Sequence, residues 1–400
     1  MTLSKPKLGL KENWQQFVLL LLINAFVGGM VGLERTVLPT LAEVEFQIYA
    51  PSVILTFIIV FGFVKAITNY FTGRFANIIG RKKLLIIGWI FAIPIPFILI
   101  YGAHWNWIIF ANILLGINQG LTWSSTVVMK IDLVGKHQRG LAMGLNESFG
   151  YFSIALIAFS TGWITAEYGV RPFPFYQGVL FVSLGLILSV FFVKDTRYHV
   201  QLEEDTSDIK PLKNIFTETS WFNNNLGSVT QAGFINNLND GMIWGVLPMI
   251  LLDRNFSMKD IAIIVAIYPA IWGIGQLVTG KLSDQYNKKI MLVLGMMLQG
   301  FALVAMYFIS TMTGFIVSAI ILGVGTAIVY PTFLSAISDF SHPSQRAQTI
   351  GIFRFWRDSG YAFGAICTII ISAFFDVEVS LIVIGLMTLT SSLIIKFRMD

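Results

Sequence analysis

The residues Gly73-Arg-Phe-Ala-Asn-Ile-Ile-Gly-Arg-Lys-Lys83 return 207 positions later, in a weaker form, as Gly280-Lys-Leu-Ser-Asp-Gln-Tyr-Asn-Lys-Lys289. Each copy is basic and stands between two long apolar runs. Four further pairs keep the same shift: Gly116 with Gly323, Asp132 with Asp339, Arg139 with Arg346, and Gly144 with Gly351. Five matches in one register predict a duplicated unit, so we expect a membrane protein built from two similar halves.

The composition agrees with a membrane protein. The chain has 400 residues, of which 55% are hydrophobic and only 12% charged, and its mean hydropathy is +0.73. A soluble domain is not this apolar along nearly its whole length. Cys367 is the one cysteine, which excludes an intramolecular disulfide. The pI of about 9.1 is better explained by a membrane surface than by nucleic acid, because the basic residues lie between apolar runs.

The apolar runs predict twelve membrane-crossing helices, since one crossing needs about 20 apolar residues. These spans are 15–40, 52–73, 84–102, 107–130, 141–166, 173–193, 226–252, 259–281, 290–309, 313–336, 347–374 and 379–397. The expected fold class is all-α, with two pseudo-symmetric bundles of six helices at 15–193 and 226–400. A polar segment at 1–14 precedes them, and a polar linker at 194–225 joins them as a simple tether.

Lysine and arginine are distributed unevenly between the two sets of loops. Twenty lie on the amino-terminal side, Lys130 among them, and three lie opposite: Arg171, Arg254 and Lys259. Positive residues are retained in the cytoplasm, so both termini and the linker are predicted to be cytoplasmic, in the cytoplasmic membrane. The polar residues 1–14 are not expected to be part of a cleaved signal peptide.

The basic loop resembles the signature of the major facilitator superfamily, which reads roughly Gly-x-Leu-Ala-Asp-Arg-x-Gly-Arg-Lys between spans two and three. Gly73, Ala76, Gly80, Arg81 and Lys82 match it. The resemblance covers essentially the whole chain. It implies alternating access by two rocking bundles, with a substrate cavity lined mainly by spans one, four, seven and ten.

The chain departs from the family pattern at three places. Asn77 stands where the family has an aspartate that caps the start of span eleven, whereas the second copy keeps Asp284. A neutral asparagine contributes less charge at a helix N-terminus. The span-four arginine of the family is Asn112 here, and span five lacks the Gly-Pro motif typical of drug–proton antiporters. The last two departures, at spans four and five, disfavour an ordinary multidrug exporter.

The resemblance and the repeat together identify candidate gating residues. They are Gly73, Asn77, Gly80, Arg81, Asp132, Arg139, Asp284, Asp339 and Arg346. We expect Arg81 to pair with Asp132, and Lys288 or Lys289 to pair with Asp339.

Eight charged side chains lie within predicted spans: Glu34, Arg35, Lys65, Glu147, Asp240, Arg354, Arg357 and Asp358. A charge at the bilayer centre costs about 2.5–3.5 kcal/mol, so these residues should face the protein interior. A guanidinium matches a carboxylate or phosphate bidentately, which favours anion binding by the arginines. The predicted substrate-binding residues are Lys65, Asn118, Gln119, Asn236, Asp240, Arg354 and Arg357.

The coupling proton is predicted to reside on Glu147 or Asp240, with Asp358 and Glu34 as further candidates. Glu147 and Arg354 are equivalent under the 207-residue shift, so we expect them on opposite walls of one cavity. The alternative is that the internal charges only pair with each other, for example Arg357 with Asp358 or Asp240.

The leading functional prediction is a proton-coupled secondary transporter for a small polar or anionic organic solute. No phosphate-binding loop of the Gly-x-x-x-x-Gly-Lys-Ser/Thr type is present, and all four histidines lie in predicted loops, so neither an enzyme, a metal site nor a cofactor is expected. The alternatives are an atypical efflux permease and a non-transporting membrane sensor. We expect a monomer in the bilayer whose partners are the solute and protons, with no nucleic acid.

Overall fold

A computed structural model describes residues 7–35, 37–48, 56–204, 209–256 and 258–400. Within these ranges the regular structure is helical, with no strand. Long helices occupy the twelve predicted places, and we label them α1 to α12. They are α1 (Trp14–Arg35, followed by Val37–Phe46), α2 (Thr56–Ile79), α3 (Arg81–Ala92, followed by Pro94–Tyr101), α4 (Trp105–Val134), α5 (Arg139–Tyr168), α6 (Tyr176–Phe191), α7 (Asn224–Asp253), α8 (Met258–Gln285), α9 (Lys288–Phe308), α10 (Met312–Asp339), α11 (Arg346–Ser372) and α12 (Val379–Arg398).

Nine helical stretches of the described chain are long and apolar enough to cross a membrane by length and hydropathy. The helices α4, α7 and α11 are not among these nine. They carry many of the polar and charged residues that the sequence places inside the protein, including Asn118, Asp240 and Arg357.

The helices divide into two units. Unit 1 takes the described residues of Met1–Gly135, Asn146–Asp208 and Arg346–Gly351. Unit 2 takes those of Lys136–Leu145, Ile209–Gln345 and Ile352–Asp400. The first turns of α5 therefore belong to unit 2, and the first turns of α11 belong to unit 1.

The 207-residue repeat holds at the level of atomic contacts. A Cβ added at Gly116 would lie 2.9 Å from Val64 Cβ and 3.0 Å from the Phe61 carbonyl oxygen, where α4 packs on α2. The equivalent Gly323 on α10 meets Ile271 Cβ and the Tyr268 carbonyl oxygen of α8, both at 2.9 Å. Every residue in the second set is 207 positions after its counterpart, so each unit contains the same helix crossing.

The structure differs from two expectations, one about the end of α4 and one about the linker. The charge pattern predicts Lys130 in a loop, but it lies within α4 and its side chain is fully buried, with Nζ donating to the Leu20 carbonyl oxygen at 3.2 Å. Helix α4 continues past its apolar run and packs against α1, so the ammonium is enclosed. The linker is also more than a tether, because Arg197–Glu204 forms a helix that packs on α4.

Candidate functional site

The interior of unit 1 holds Glu147 on α5, whose side chain is 1% exposed. Its Oε1 accepts hydrogen bonds from Asn146 Nδ2 at 2.7 Å and from Trp123 Nε1 at 3.2 Å. Asn146 is held in turn by Asn24, which donates to its carbonyl oxygen at 3.0 Å. The carboxylate is therefore oriented by α1, α4 and α5 together.

Lys65 on α2 lies next to this carboxylate site. Its Nζ is 5.6 Å from the ring centroid of Trp123 and 5.5 Å from that of Phe61, and the residue is half-buried. A cation over an aromatic face is attracted by the ring quadrupole. Trp123 thus contacts both Lys65 and Glu147.

Asn118 and Gln119 on α4 donate to backbone groups of neighbouring helices. Asn118 Nδ2 donates to the Gly88 carbonyl oxygen at 2.9 Å, and Gln119 Nε2 to that of Val27 at 2.7 Å. Both side chains are fully buried. These contacts join α4 to α3 and α1, which is the helix-packing use of a polar residue in a membrane.

Glu34 is buried near the end of the first part of α1, with 3% of its side chain exposed. The side chain of Arg35 lies outside the described part of the structure. Glu34 is ten residues along the chain from Asn24, the α1 residue that binds Asn146.

The interior of unit 2 contains a buried ion pair. Arg357 and Asp358 on α11 are joined through Nε and Nη2 of the arginine, each 2.8 Å from Asp358 Oδ1. Arg357 also lies over two aromatic rings, with Cζ 5.0 Å from the Tyr330 centroid and 5.7 Å from the Phe353 centroid. The guanidinium is thus charge-paired and stacked at once.

Asp240 on α7 forms a second buried site in unit 2. It accepts a short hydrogen bond from the Tyr268 hydroxyl, which also lies 3.3 Å from Thr326 Oγ1. Asn236, one turn away, donates to Asn237 Oδ1 at 3.2 Å. Arg354 is fully buried on α11, one turn before Asp358.

A cluster of charged residues in unit 1 surrounds Asp132 at the end of α4. Asp132 lies 3.3 Å from Arg81 Nε and 3.8 Å from Arg346 Nη1, and accepts from Thr196 Oγ1 at 2.8 Å. Arg346 binds Glu203 of the linker helix bidentately, at 2.9 and 2.7 Å. We call Arg81, Asp132, Thr196, Glu203 and Arg346 the Asp132 cluster.

The equivalent cluster in unit 2 surrounds Asp339 at the end of α10. Arg139 Nη1 and Lys288 Nζ lie 2.8 and 2.6 Å from its carboxylate. Asp284 caps α5 by accepting from the backbone N–H of Gly140 at 2.6 Å and of Leu141 at 2.8 Å. We call Arg139, Asp284, Lys288 and Asp339 the Asp339 cluster. Both expected ion pairs, Arg81 with Asp132 and Lys288 with Asp339, are present.

The three remaining gating candidates lie in the basic loop. Gly73 allows close helix approach, since a Cβ there would lie 2.5 Å from the Ala347 carbonyl oxygen and 2.8 Å from Gly351 Cα. Asn77 follows one turn later on α2 and is exposed. Gly80 has a φ of 98°, which favours glycine, and ends α2 next to Asp195, which accepts from the Lys82 backbone N–H at 3.2 Å.

Sequence reasoning missed Glu203, Tyr268 and Lys130. The sequence does contain a sign of Tyr268, because Phe61 stands at the equivalent position of the first half, 207 residues earlier. The second half therefore has a hydroxyl where the first half has only an apolar ring. Nothing in the sequence distinguishes Glu203, because it is one of several acidic residues in a polar linker. Among the described residues, no group of three or more His, Cys, Asp or Glu side chains could hold a metal ion.

Comparison with known proteins gives matches along the chain. The sequence model of the Major Facilitator Superfamily matches residues 18–225 and 229–400. Multidrug resistance protein 2 of Bacillus subtilis (strain 168) is 26% identical over 200 residues, which are 48% of this chain and 46% of that protein. The chain therefore matches about half the length of this relative.

Two solved structures share the fold at low identity. The human organic anion transporter MFSD10 (TETRAN) aligns with a TM-score of 0.77 and 13% identity, over 95% of this chain and 99% of that chain. The E. coli Fucose:proton symporter FucP aligns with a TM-score of 0.76 and 13% identity, over 96% and 98%. At such identities the likeness concerns the fold alone.

Proposed function

The chain belongs to the major facilitator superfamily, and we propose that it is a multi-pass membrane transporter rather than an enzyme, a proton-coupled secondary carrier of a small polar or anionic organic solute. It would work by alternating access between its two six-helix bundles, 15–193 and 226–400. Both termini and the linker would lie in the cytoplasm, and the protein would act as a monomer in the cytoplasmic membrane.

The observation that carries the proposal is the set of three buried charged sites, one in unit 1 and two in unit 2. Unit 1 encloses Glu147 beside Lys65, and unit 2 encloses Arg357 with Asp358 and, separately, Asp240 with Tyr268. Burying charge inside a membrane protein is expensive, so such residues usually serve ion or substrate pathways. A carboxyl that exchanges a proton and a cation that binds an anion are the two groups that this transport needs.

Solute binding is proposed for Arg354, Arg357 and Lys65, with Asn236 and Asp240 as polar neighbours. Protonation is proposed for Glu147 or Asp240, with Asp358 and Glu34 as secondary candidates. Asn118 and Gln119 are proposed to support the site indirectly by holding neighbouring helices, because their amide groups donate to backbone carbonyls.

Gating is proposed for the Asp132 and Asp339 clusters. The Asp132 cluster holds the first turn of α11 in unit 1, whose other helices come from the first half of the sequence. The Asp339 cluster holds the first turn of α5 in unit 2, whose other helices come from the second half. Alternating access would require those first turns to leave, so the clusters would stabilise one state of the cycle.

Vesicles containing the purified protein, with an imposed pH gradient, test the proposal. A panel of small organic acids, sugars and amphipathic drugs is screened for solute-dependent proton flux, in the parent protein and in Glu147→Gln and Arg357→Ala. Flux that is lost in either variant supports the proposal. Binding of a solute without flux in the parent would contradict it and favour a sensor.

Efflux is the second candidate, because the Bacillus subtilis relative is named a multidrug resistance protein. The same vesicles discriminate between the two by direction. Solute that moves in the direction opposite to the protons indicates an efflux antiporter. Solute that moves in the same direction as the protons indicates a symporter.

A further inference from the structure

Trp123 contacts opposite charges through two different parts of one ring. Its indole Nε1 lies 3.2 Å from Glu147 Oε1, while Lys65 Nζ lies 5.6 Å from the ring centroid. Trp123 itself is only 3% exposed. Lys65 is half-buried and so is the more accessible of the two charged groups.

The orientation of the indole is set by its neighbours. A Cβ at Gly150 would lie 2.7 Å from both Cη2 and Cζ2 of Trp123, so only glycine leaves room for the ring. The Tyr151 ring packs on it with centroids 5.7 Å apart. Trp123 is therefore held with its N–H toward α5 and a face toward α2.

The chemistry of indole makes this placement significant. The face of the ring is electron-rich and attracts a cation, whereas the N–H is a donor only. A cation over the face draws electron density from the ring and makes the N–H a stronger donor. A hydrogen bond to a carboxylate favours its charged form. The charge on Lys65 therefore supports the charge on Glu147, both through the ring and directly through space.

We propose that Trp123 is a positioning residue that couples anion binding at Lys65 to protonation of Glu147. When an anionic group of the solute neutralises Lys65, the indole N–H becomes a weaker donor, and Glu147 takes up a proton. The inference rests on the proposed function for its solute and proton. Because coupling between two binding events is reciprocal, protonation of Glu147 also strengthens anion binding, which makes solute and proton move together.

Other titratable groups surround this site on the helices of unit 1. Tyr151 lies on α5 with Glu147, Lys130 lies on α4 about two turns beyond Trp123, and Glu34 lies on α1. Lys65 and Tyr151 contact the Trp123 ring. Lys130 donates to the Leu20 carbonyl oxygen.

A double-mutant cycle tests the coupling without any knowledge of the solute. The full chain is reconstituted in lipid, and infrared spectroscopy follows the band of the protonated Glu147 carboxyl against pH, with Glu147→Gln to identify that band. Lys65→Gln imitates neutralisation by an anion, and Trp123→Phe keeps the ring but removes the N–H. Each single variant is expected to keep the band to a higher pH than the parent, because each removes a contribution to the charged form. In the double variant, Lys65→Gln should add less than its single effect, because the path through the indole N–H is already removed.

Additive shifts in the double variant would overturn the role of Trp123, and so would an unchanged band in Trp123→Phe. If Trp123→Phe does not fold, Gly150→Ala keeps the indole but displaces it, and the same upward shift is expected. An unchanged band in Gly150→Ala would also overturn the inference. Transport in the parent, measured separately with the solute panel, shows whether a failure concerns this coupling alone or the proposed function itself.

Discussion

Arg346 and Glu203 are joined by two parallel hydrogen bonds, although 143 residues separate them in the chain. Arg346 is the first residue of α11 and is 1% exposed, and Glu203 belongs to the linker helix. Bidentate guanidinium–carboxylate pairs are among the stronger hydrogen-bonded contacts in proteins. The linker therefore holds the start of α11 in unit 1.

Removing this carboxylate should destabilise the protein. In Glu203→Ala the buried guanidinium of Arg346 keeps Asp132 at 3.8 Å but loses its bidentate partner. We expect a loss of about 3 kcal/mol, measured as a lower midpoint of thermal unfolding in detergent. Glu204→Ala, which removes the exposed neighbouring carboxylate, is the control. Equal midpoints for the two variants would show that the pair contributes nothing.

An aspartate should cap a helix better than an asparagine at the equivalent positions Asn77 and Asp284. Asp284 caps α5 four residues after Gly280, which packs on Gly144 with a Cβ-to-Cα approach of 2.7 Å. Asn77 stands four residues after Gly73, which packs on Gly351 in the same way. Asn77→Asp should therefore cap α11 and stabilise the protein by about 0.3–1 kcal/mol, measured as a higher midpoint of thermal unfolding. Asp284→Asn should lower it by a similar amount, and a lower midpoint in Asn77→Asp would refute the shared register.

A methyl group at the contact between α5 and α8 should be poorly tolerated. A Cβ at Gly144 would lie 2.4 Å from the Gln276 carbonyl oxygen and 2.9 Å from Gly280 Cα. Because these are backbone atoms, the helices must separate, and we expect Gly144→Ala to destabilise the protein by about 1–3 kcal/mol. Gly273→Ala on α8 is the matched control, since nothing lies within 4 Å of the added atom. Its midpoint should stay unchanged or rise, because alanine favours helix.

Acidification should weaken the packing of the linker helix. Burial lowers the pKa of His199, and the nearby charge of Asp132 opposes that shift without cancelling it. The unfolded chain then binds a proton more readily than the native protein, so the His199 contribution to stability is present above pH 6.5 and is lost as the pH falls below it.

The variant His199→Asn should therefore show a smaller fall in unfolding midpoint between pH 7.5 and pH 5.5 than the parent. His104→Asn, at an exposed position, should fall as the parent does. A His199 variant that falls as steeply as the parent would assign the acid sensitivity to other groups.

Much of the fold could be predicted from local properties. Hydropathy located the long helices of the described chain, and the 207-residue repeat anticipated the matching contacts of Gly116 and Gly323. Simple pairing rules anticipated Arg81 with Asp132 and Lys288 with Asp339, because each pair joins residues of one half. The end of α4 was placed too early, since an apolar run ends before its helix does, and Lys130 was misassigned as a result.

The sequence by itself determined which residues are too polar for lipid, and so which side chains must lie inside. That follows from transfer free energy, which depends on the residue type and its place in an apolar run. Only the tertiary structure decided the partners: Trp123 for Glu147, Tyr268 for Asp240, and Glu203 for Arg346. Partner choice depends on which helix faces cross and at what height, and residues far apart in the chain carry no local signal of it.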